Sequence, residues 1–247
     1  MPSESDLLGA IETHGVEELH SLLRSGASAV DTINGFTPVE YLTSGYLRSS
    51  RFVACLGVLL DAGGVQHDAE VRAVLLDDST TLEGLLRDNK NEVLEKRVSM
   101  RAAFTQCHEV SLLHLCAEFN SMRCARVLLE AGADVNAAAG IDEHGFGGQT
   151  PLFHAVNSNH NYCRPAMELL VEHGASLDVT IAGLVWGQEM DWETVILAVN
   201  PLSYAQCGLY RQFHRRESDV YSNLAFLYEH RYRKALHVRN VPNKYLA

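Results

Sequence analysis

Histidine and cysteine are the side chains that most often bind transition metals or act as nucleophiles and bases, and the sequence has twelve and six of them. The closest pairs are Cys107 with His108, His114 with Cys116, and His160 with Cys163. None of them forms a CxxC pair or an HExxH segment, and a tetrahedral zinc site needs four ligands. The spacing therefore favours structural roles, and we expect no metal site and no cofactor.

The motifs of covalent and phosphate chemistry are also missing from the sequence. It has no GxSxG segment, and the "GFGG" segment at 145–148 is not followed by Lys-Ser or Lys-Thr. We therefore expect no catalysis. A metal-binding protein or enzyme whose site assembles from scattered histidines and cysteines stays an alternative. The wide, unequal spacing of the cysteines predicts buried free thiols in a reducing compartment, with the cytoplasm as the expected location.

Both tryptophans lie in one short segment, "GLVWGQEMDWETV" at 183–195, which we interpret as a loop because it has no clean helical or strand period. Trp186 and Trp192 have two possible roles. They could fold the loop back onto the protein as a small core, or they could anchor a partner, with Met190 beside them and Glu189 and Asp191 as a polar rim. Phe146, in "DEHGFGGQ", poses the same question.

The charge of the chain is uneven. Its net charge is −11, but residues 1–210 carry 12 Lys+Arg against 28 Asp+Glu (net −16), and residues 211–247 carry 8 against 3 (net +5). An acidic body argues against a broad nucleic-acid surface. The segment after 210 contains a predicted helix that starts at Ser218 or Asp219, and residues 231–247 form a basic tail. A nucleic-acid-associated protein that uses this tail is the main alternative function.

Two short phrases recur along the chain. One is an apolar pair followed by Gly-Ala or a variant of it, as in "LLEAGADVNA" from Leu128; the other resembles Thr-Pro-Leu-His, as in "QTPLFHAV" from Gln149. Such an alternation predicts two short helices joined by a turn. In 111–137, Ser111 can cap the first helix, and Gly132 can end the second in a left-handed conformation.

The segment "SLLHLCAEFNSMRCARVLLEAGADVNA" at 111–137 resembles an ankyrin repeat. The resemblance implies an all-α solenoid of stacked helix-turn-helix units with long finger loops. It also implies that His114 is structural and braces neighbouring turns. We predict one repeat domain over 1–230, with units near 5–33, 36–66, 68–89, 111–137, 149–179 and 200–230.

The spacing of the Leu-Leu pairs locates three insertions. The distances from Leu22 to Leu59, from Leu85 to Leu128 and from Leu128 to Leu169 are 37, 43 and 41 residues, whereas the ankyrin period is about 33. We place the excess at 90–110, 138–149 and 181–199, between one unit's second helix and the next unit's first. In the resembling family these junctions are the fingers that line the concave face.

We therefore expect a protein-interaction module, or adaptor, that binds a partner protein through its concave face and fingers. The acidic body favours a partner with a basic surface, and we expect a monomer without a membrane span. The predicted contacts are residues that we expect to be exposed on first helices, together with the apolar residues of the fingers: Glu118, Phe119, Asn157, Ser158, Phe146, Trp186, Met190 and Trp192.

Overall fold

A computed structural model describes residues 2–188 and 190–237 of the chain. In chain order its helices are α1 (Glu4–Glu12), α2 (Val16–Arg24), α3 (Pro38–Ser44), α4 (Phe52–Asp61), α5 (Ala69–Leu75), α6 (Ser79–Glu95), α7 (Leu112–Phe119), α8 (Met122–Glu130), α9 (Pro151–Val156), α10 (Arg164–Glu172), α11 (Pro201–Cys207) and α12 (Glu217–Tyr232). The strands are β1 (Val98–Met100), β2 (Cys107–Val110), β3 (Ile181–Trp186) and β4 (Thr194–Val199). Short 3-10 helices span Asn159–Asn161 and Arg211–Phe213.

Consecutive helices pair and the pairs stack. Helices α7 and α8 contact each other, for example, and α7 also packs against α5 and α9. The first helices of the inner pairs α7–α8 and α9–α10 are short and apolar because their neighbours cover them from both sides. All eight residues of α7 and all six of α9 are buried. One continuous apolar core therefore runs through the stack.

The helix starts follow from local chemistry. Thr37 accepts a hydrogen bond from the backbone of Glu40, whose carboxylate accepts one from Thr37, and Pro38 occupies the first turn. Pro151 holds the same position in α9. Ser111 precedes α7, as predicted, and Gly132 follows α8 with a positive φ of 95°.

The prediction of an all-α chain is wrong at two of the three insertions. Residues 90–110 extend α6 and then form an antiparallel pair, β1 with β2, and residues 181–199 form a second pair, β3 with β4. The insertion at 138–149 is a loop in which the carboxylate of Asp142 accepts the backbone N–H groups of His144 and Phe146 at 2.9 Å. The helix-rich part of the prediction is confirmed.

The segment after residue 210 contains the predicted helix, α12, which begins at Glu217 without a side-chain cap from Ser218 or Asp219. Its apolar stripe, including Val220 and Leu227, is buried against the stack. Most of the basic tail (238–247) and Glu189 of the proposed polar rim lie outside the described residues. Within the described ranges, no helix is long and apolar enough to cross a bilayer.

Candidate functional site

The tryptophan segment forms an antiparallel hairpin, β3 and β4 with the turn between them, which we call the tryptophan hairpin (181–199). The register pairs Gly183 with Leu197 and Trp186 with Thr194. One face of the hairpin carries Leu184, Trp186 and Ile196 and is buried against the repeats. Alternation along a strand sends neighbouring side chains to opposite faces, so the other face points outward.

Trp186 is a core residue, with 1% of its surface exposed. Its ring stacks on that of Phe213, with centroids 4.0 Å apart and planes 16° apart, and it also contacts Trp192 at 4.6 Å. Phe213 follows α11, so this stacking fixes the hairpin to the last repeat. Trp186 therefore folds the insertion back onto the protein, as the first of the two interpretations states.

Trp192 lies half-buried over Gly187, which has a φ of +68°. A Cβ atom at position 187 would overlap the six-membered ring of Trp192, so both the backbone conformation and the ring contact require glycine there. The rings of Trp192 and Tyr46 form a T-shaped pair, with centroids 6.1 Å apart and planes at 89°. Trp192 thus joins the hairpin turn to the loop that follows α3.

A cleft of about 580 Å³ opens beside this turn. It is bounded by α1, α3 and its following loop, the segment before β2, and the hairpin turn; its lining includes Leu8, Glu12, Tyr41, Tyr46, Leu47, Arg101, Met190 and Trp192. The sulfur of Met190 lies 3.8 Å from Nη2 of Arg101. Two residues predicted as partner contacts, Met190 and Trp192, therefore lie together in one partly exposed apolar cleft.

Phe146 packs on the outward face of the tryptophan hairpin. Its ring fills the space in which a side chain at Gly183 would lie, with Cδ1 2.7 Å from the position of such a Cβ atom. The backbone N–H of Gly147 donates to the carbonyl of Gly183 at 2.8 Å. The 138–149 loop is thus tied to β3, and Phe146 is half-buried there.

The expected exposure of the four first-helix residues is wrong. Glu118, Phe119, Asn157 and Ser158 are all buried, with 2% to 7% of their surfaces exposed. Segments from distant parts of the chain cover Glu118, Phe119 and Asn157, and Ser158 is bonded to a nearby residue. The Arg48 guanidinium lies 4.6 Å from the Phe119 ring centroid. The carbonyl of Asn157 accepts from Nε of Arg215 at 2.9 Å, and Ser158 Oγ accepts the N–H of Cys163.

Glu118 is the centre of a buried ionic network. Its Oε1 accepts from Arg48 Nη2 at 3.0 Å, and Oε2 lies 3.1 Å from Nδ1 of His154. Burial alone would raise the pKa of this carboxyl. The hydrogen bond to His154 and the charge of Arg48 outweigh burial and lower the pKa of Glu118 below its usual value. The network links the loop after α3 to α7 and α9.

His114 has the bracing role that the resemblance implies. The backbone N–H of Ser111 donates to Nδ1 of His114 at 3.1 Å, which leaves Nε2 to donate to the carbonyl of Gln149 at 2.9 Å. Burial, followed by the charge of His154, lowers the pKa of His114 well below its usual value. The ring is therefore a neutral connector between consecutive repeats.

The cysteines and histidines form no recognisable reactive centre. All six thiols are free and buried, and burial raises the pKa of Cys163 to about 12. In residues 2–188 and 190–237, no three His, Cys, Asp or Glu side chains come together in a group that could hold a metal ion.

The residues that cover the first helices were not predicted from the sequence. The main ones are Arg48, Arg215, Tyr46 and Phe213. The Tyr46 hydroxyl donates to the carbonyl of Phe213 at 3.0 Å, and Arg215 donates to the Tyr46 oxygen at 2.9 Å. These contacts join parts of the chain separated by more than 160 positions. No local pattern in the sequence marks them.

Paired helices joined by tight turns and braced by a buried histidine define a helical repeat protein. Residues 72–181 match a family model described as ankyrin repeats, in three copies, so this part of the chain consists of ankyrin repeats. The human ASB11 ankyrin repeat domain, a solved structure, is similar to it at 21% identity, with a TM-score of 0.32, over 73% of this chain and 88% of that one. No curated protein matches the sequence significantly.

Proposed function

We propose that the chain is a protein-binding module without catalytic activity, and that it holds a segment of a partner protein in the cleft beside the tryptophan hairpin. Ankyrin repeats are generally protein-protein interaction modules. The residues of α7 and α9 are buried in this chain, which is why we place the proposed contact surface beside the tryptophan hairpin.

The proposal depends on the large, partly exposed side chains that line the cleft. Interface hot spots are rich in aromatic and other large side chains in pockets that water leaves on binding. Tyr41, Tyr46, Met190 and Trp192 are all partly exposed and line one space of about 580 Å³. This volume suits one or two large apolar side chains of a partner.

The surroundings of the cleft are preorganised. Trp186 is stacked in the core, and the missing side chain of Gly187 leaves room for the Trp192 ring. A partner would therefore meet a surface whose side chains are already ordered, and less conformational entropy would be lost on binding.

The net charge indicates the kind of partner surface, and the cysteines indicate the compartment. The acidic body favours a partner with a basic surface, which would speed association at low salt. Six buried free thiols fit a reducing compartment such as the cytoplasm. We further propose that the module acts as a monomeric adaptor.

The proposal is tested by affinity capture from a lysate of the source organism with matched surface variants. Met190→Lys and Tyr41→Lys place a charge in the cleft, and Val53→Lys makes the same kind of change at an exposed position of α4. We expect both cleft variants to lose a partner that wild type and Val53→Lys retain, with unchanged circular dichroism. If folded cleft variants retain every captured protein, the proposal is wrong.

A further inference from the structure

Strand β4 leaves one edge of the tryptophan hairpin open. Among the described residues, β4 pairs with β3 alone. The opposite edge of β3 is covered, since Gly147 donates to Gly183 and Thr105 bridges to Trp186. Natural proteins usually protect such edges with charges, proline or backbone irregularities. The β4 sequence, "TVILAV", contains no charge and no proline, and Ala198 is its one residue with a positive φ, 51°.

The register shows which backbone groups face the open edge. The carbonyl of Gly183 points away from β4, because it accepts the N–H of Gly147 on the far side of β3. Gly183 and its partner Leu197 are therefore a non-hydrogen-bonded pair, and so is the Val185–Val195 pair two residues along. It follows that Val195 and Leu197 direct their N–H and C=O groups toward the open edge.

The same two residues expose apolar side chains. Val195 is 47% exposed and Leu197 is 63% exposed, and both project from the outward face, on which Phe146 packs. Ile141, from the loop that carries Phe146, is 64% exposed. A strand added beside β4 would gain backbone hydrogen bonds and also cover this apolar face.

Acidic side chains flank the patch. Asp191 lies three residues before β4 and is exposed, and Glu143 lies three residues before Phe146 with 88% of its side chain exposed. Between Thr194 and Tyr210 the chain has no basic residue. An incoming segment with lysine or arginine beside its apolar residues would complement these charges.

We propose that β4 binds an extended segment of a partner protein by strand addition, and that this segment alternates apolar residues and carries lysine or arginine at its ends. The inference rests on the proposed function, because it gives the partner held in the cleft a second contact, at a strand that contributes no residue to the cleft. Backbone hydrogen bonds would supply affinity, and the alternate side chains over Val195 and Leu197 would supply selectivity.

A selection from a displayed library of random twelve-residue peptides tests the inference, with the full chain as target. Enriched peptides are synthesised, and their affinities are measured by fluorescence anisotropy against wild type, Leu197→Pro, Leu197→Thr and Val65→Thr. Proline at 197 removes an N–H that faces outward and so spares the β3 ladder, whereas threonine changes only the side chain. Val65 is an exposed apolar residue away from the hairpin and serves as the control.

We expect the enriched peptides to alternate apolar residues and to carry Lys or Arg at their ends. Leu197→Pro should weaken them about tenfold or more, because a hydrogen bond and an apolar contact are lost together. Leu197→Thr should weaken them less, and Val65→Thr should leave the affinity unchanged. Peptides without the alternating pattern, or equal affinity for Leu197→Pro, would overturn the inference.

A second copy of the chain is the competing occupant of the edge. Analytical ultracentrifugation that shows a wild-type dimer and a Leu197→Pro monomer would also overturn the inference. If Leu197→Pro leaves the captured natural partner bound while Met190→Lys releases it, the strand-addition inference fails and the proposed function stands. If neither variant changes what is captured, the proposed function fails as well.

Discussion

Replacement of Glu118 tests the buried ionic network directly. The side chains of Arg48 and Glu118 are only 1% and 2% exposed, and their charged atoms lie 3.0 Å apart. Glu118→Gln keeps the size of the side chain and an oxygen that can accept from Arg48. It removes the negative charge, so the Arg48 guanidinium is left in the interior without a counter-charge.

The expected loss follows from the cost of a buried unpaired charge. Removing one partner of a buried ion pair typically lowers the free energy of unfolding by about 3–5 kcal/mol. We expect a loss of about 3 kcal/mol for Glu118→Gln, because glutamine keeps an oxygen that can accept from Arg48. The double variant Arg48→Met/Glu118→Gln no longer contains the orphaned cation. Its loss should therefore be smaller than the sum of the two single losses by at least about 1 kcal/mol.

Urea unfolding followed by far-ultraviolet circular dichroism measures these differences, with all four proteins at one pH and salt concentration. Two results would show that Arg48 and Glu118 do not stabilise each other. One is a loss below about 1 kcal/mol for Glu118→Gln; the other is a loss for the double variant that equals the sum of the two single losses within error. Either result would mean that water or backbone groups neutralise Arg48 as well as Glu118 does.

Three further predictions concern stability and reactivity. Burial, with the charges of two nearby arginines, lowers the pKa of His14 to about 4, below the usual value of about 6.5. The contribution of neutral His14 to the free energy of unfolding should therefore be complete above pH 6.5 and should fall toward pH 4 by up to about 1.4 kcal/mol per pH unit. His14→Gln should flatten this slope in pH-dependent urea unfolding, and an unchanged slope would contradict the prediction. Gly187→Ala should cost at least about 1 kcal/mol in the same assay and alter the near-ultraviolet dichroism of Trp192, because the left-handed backbone and the ring contact both exclude a methyl group; a neutral change would contradict the geometry. The native thiols, Cys163 among them, should react with Ellman's reagent at pH 8 only as fast as the chain unfolds, and a rapid native thiol would contradict their burial.

The repeats could be predicted from the sequence because their signals are local. Thr37-Pro38 and Thr150-Pro151 start helices, and Gly132 ends one, through interactions within a few residues. His114 could be assigned a structural role because its place in the repeat phrase implies one. These features need no knowledge of the rest of the chain.

The hairpin and the covered concave face could not be predicted in the same way. Strand β3 is apolar at nearly every position, because its inner face meets the core and Phe146 lies on its outer face, so no period of two is visible. Glu118 looked like an exposed first-helix residue, whereas Arg48 pairs with it from 70 positions away. The exposure of a side chain depends on segments that the local sequence does not reveal. The domain limits and the partner contacts stay predictions.

Site-specific photo-cross-linking tests the central claim, that a partner protein binds beside the tryptophan hairpin. Benzoylphenylalanine is introduced at position 190, in the cleft, and separately at position 53, which is exposed on α4. Both proteins are irradiated in lysate of the source organism, and the cross-linked products are identified by mass spectrometry. We expect one dominant partner to be cross-linked from position 190 and to be absent from the products of position 53. Identical products from both positions, or none from position 190, would contradict the claim.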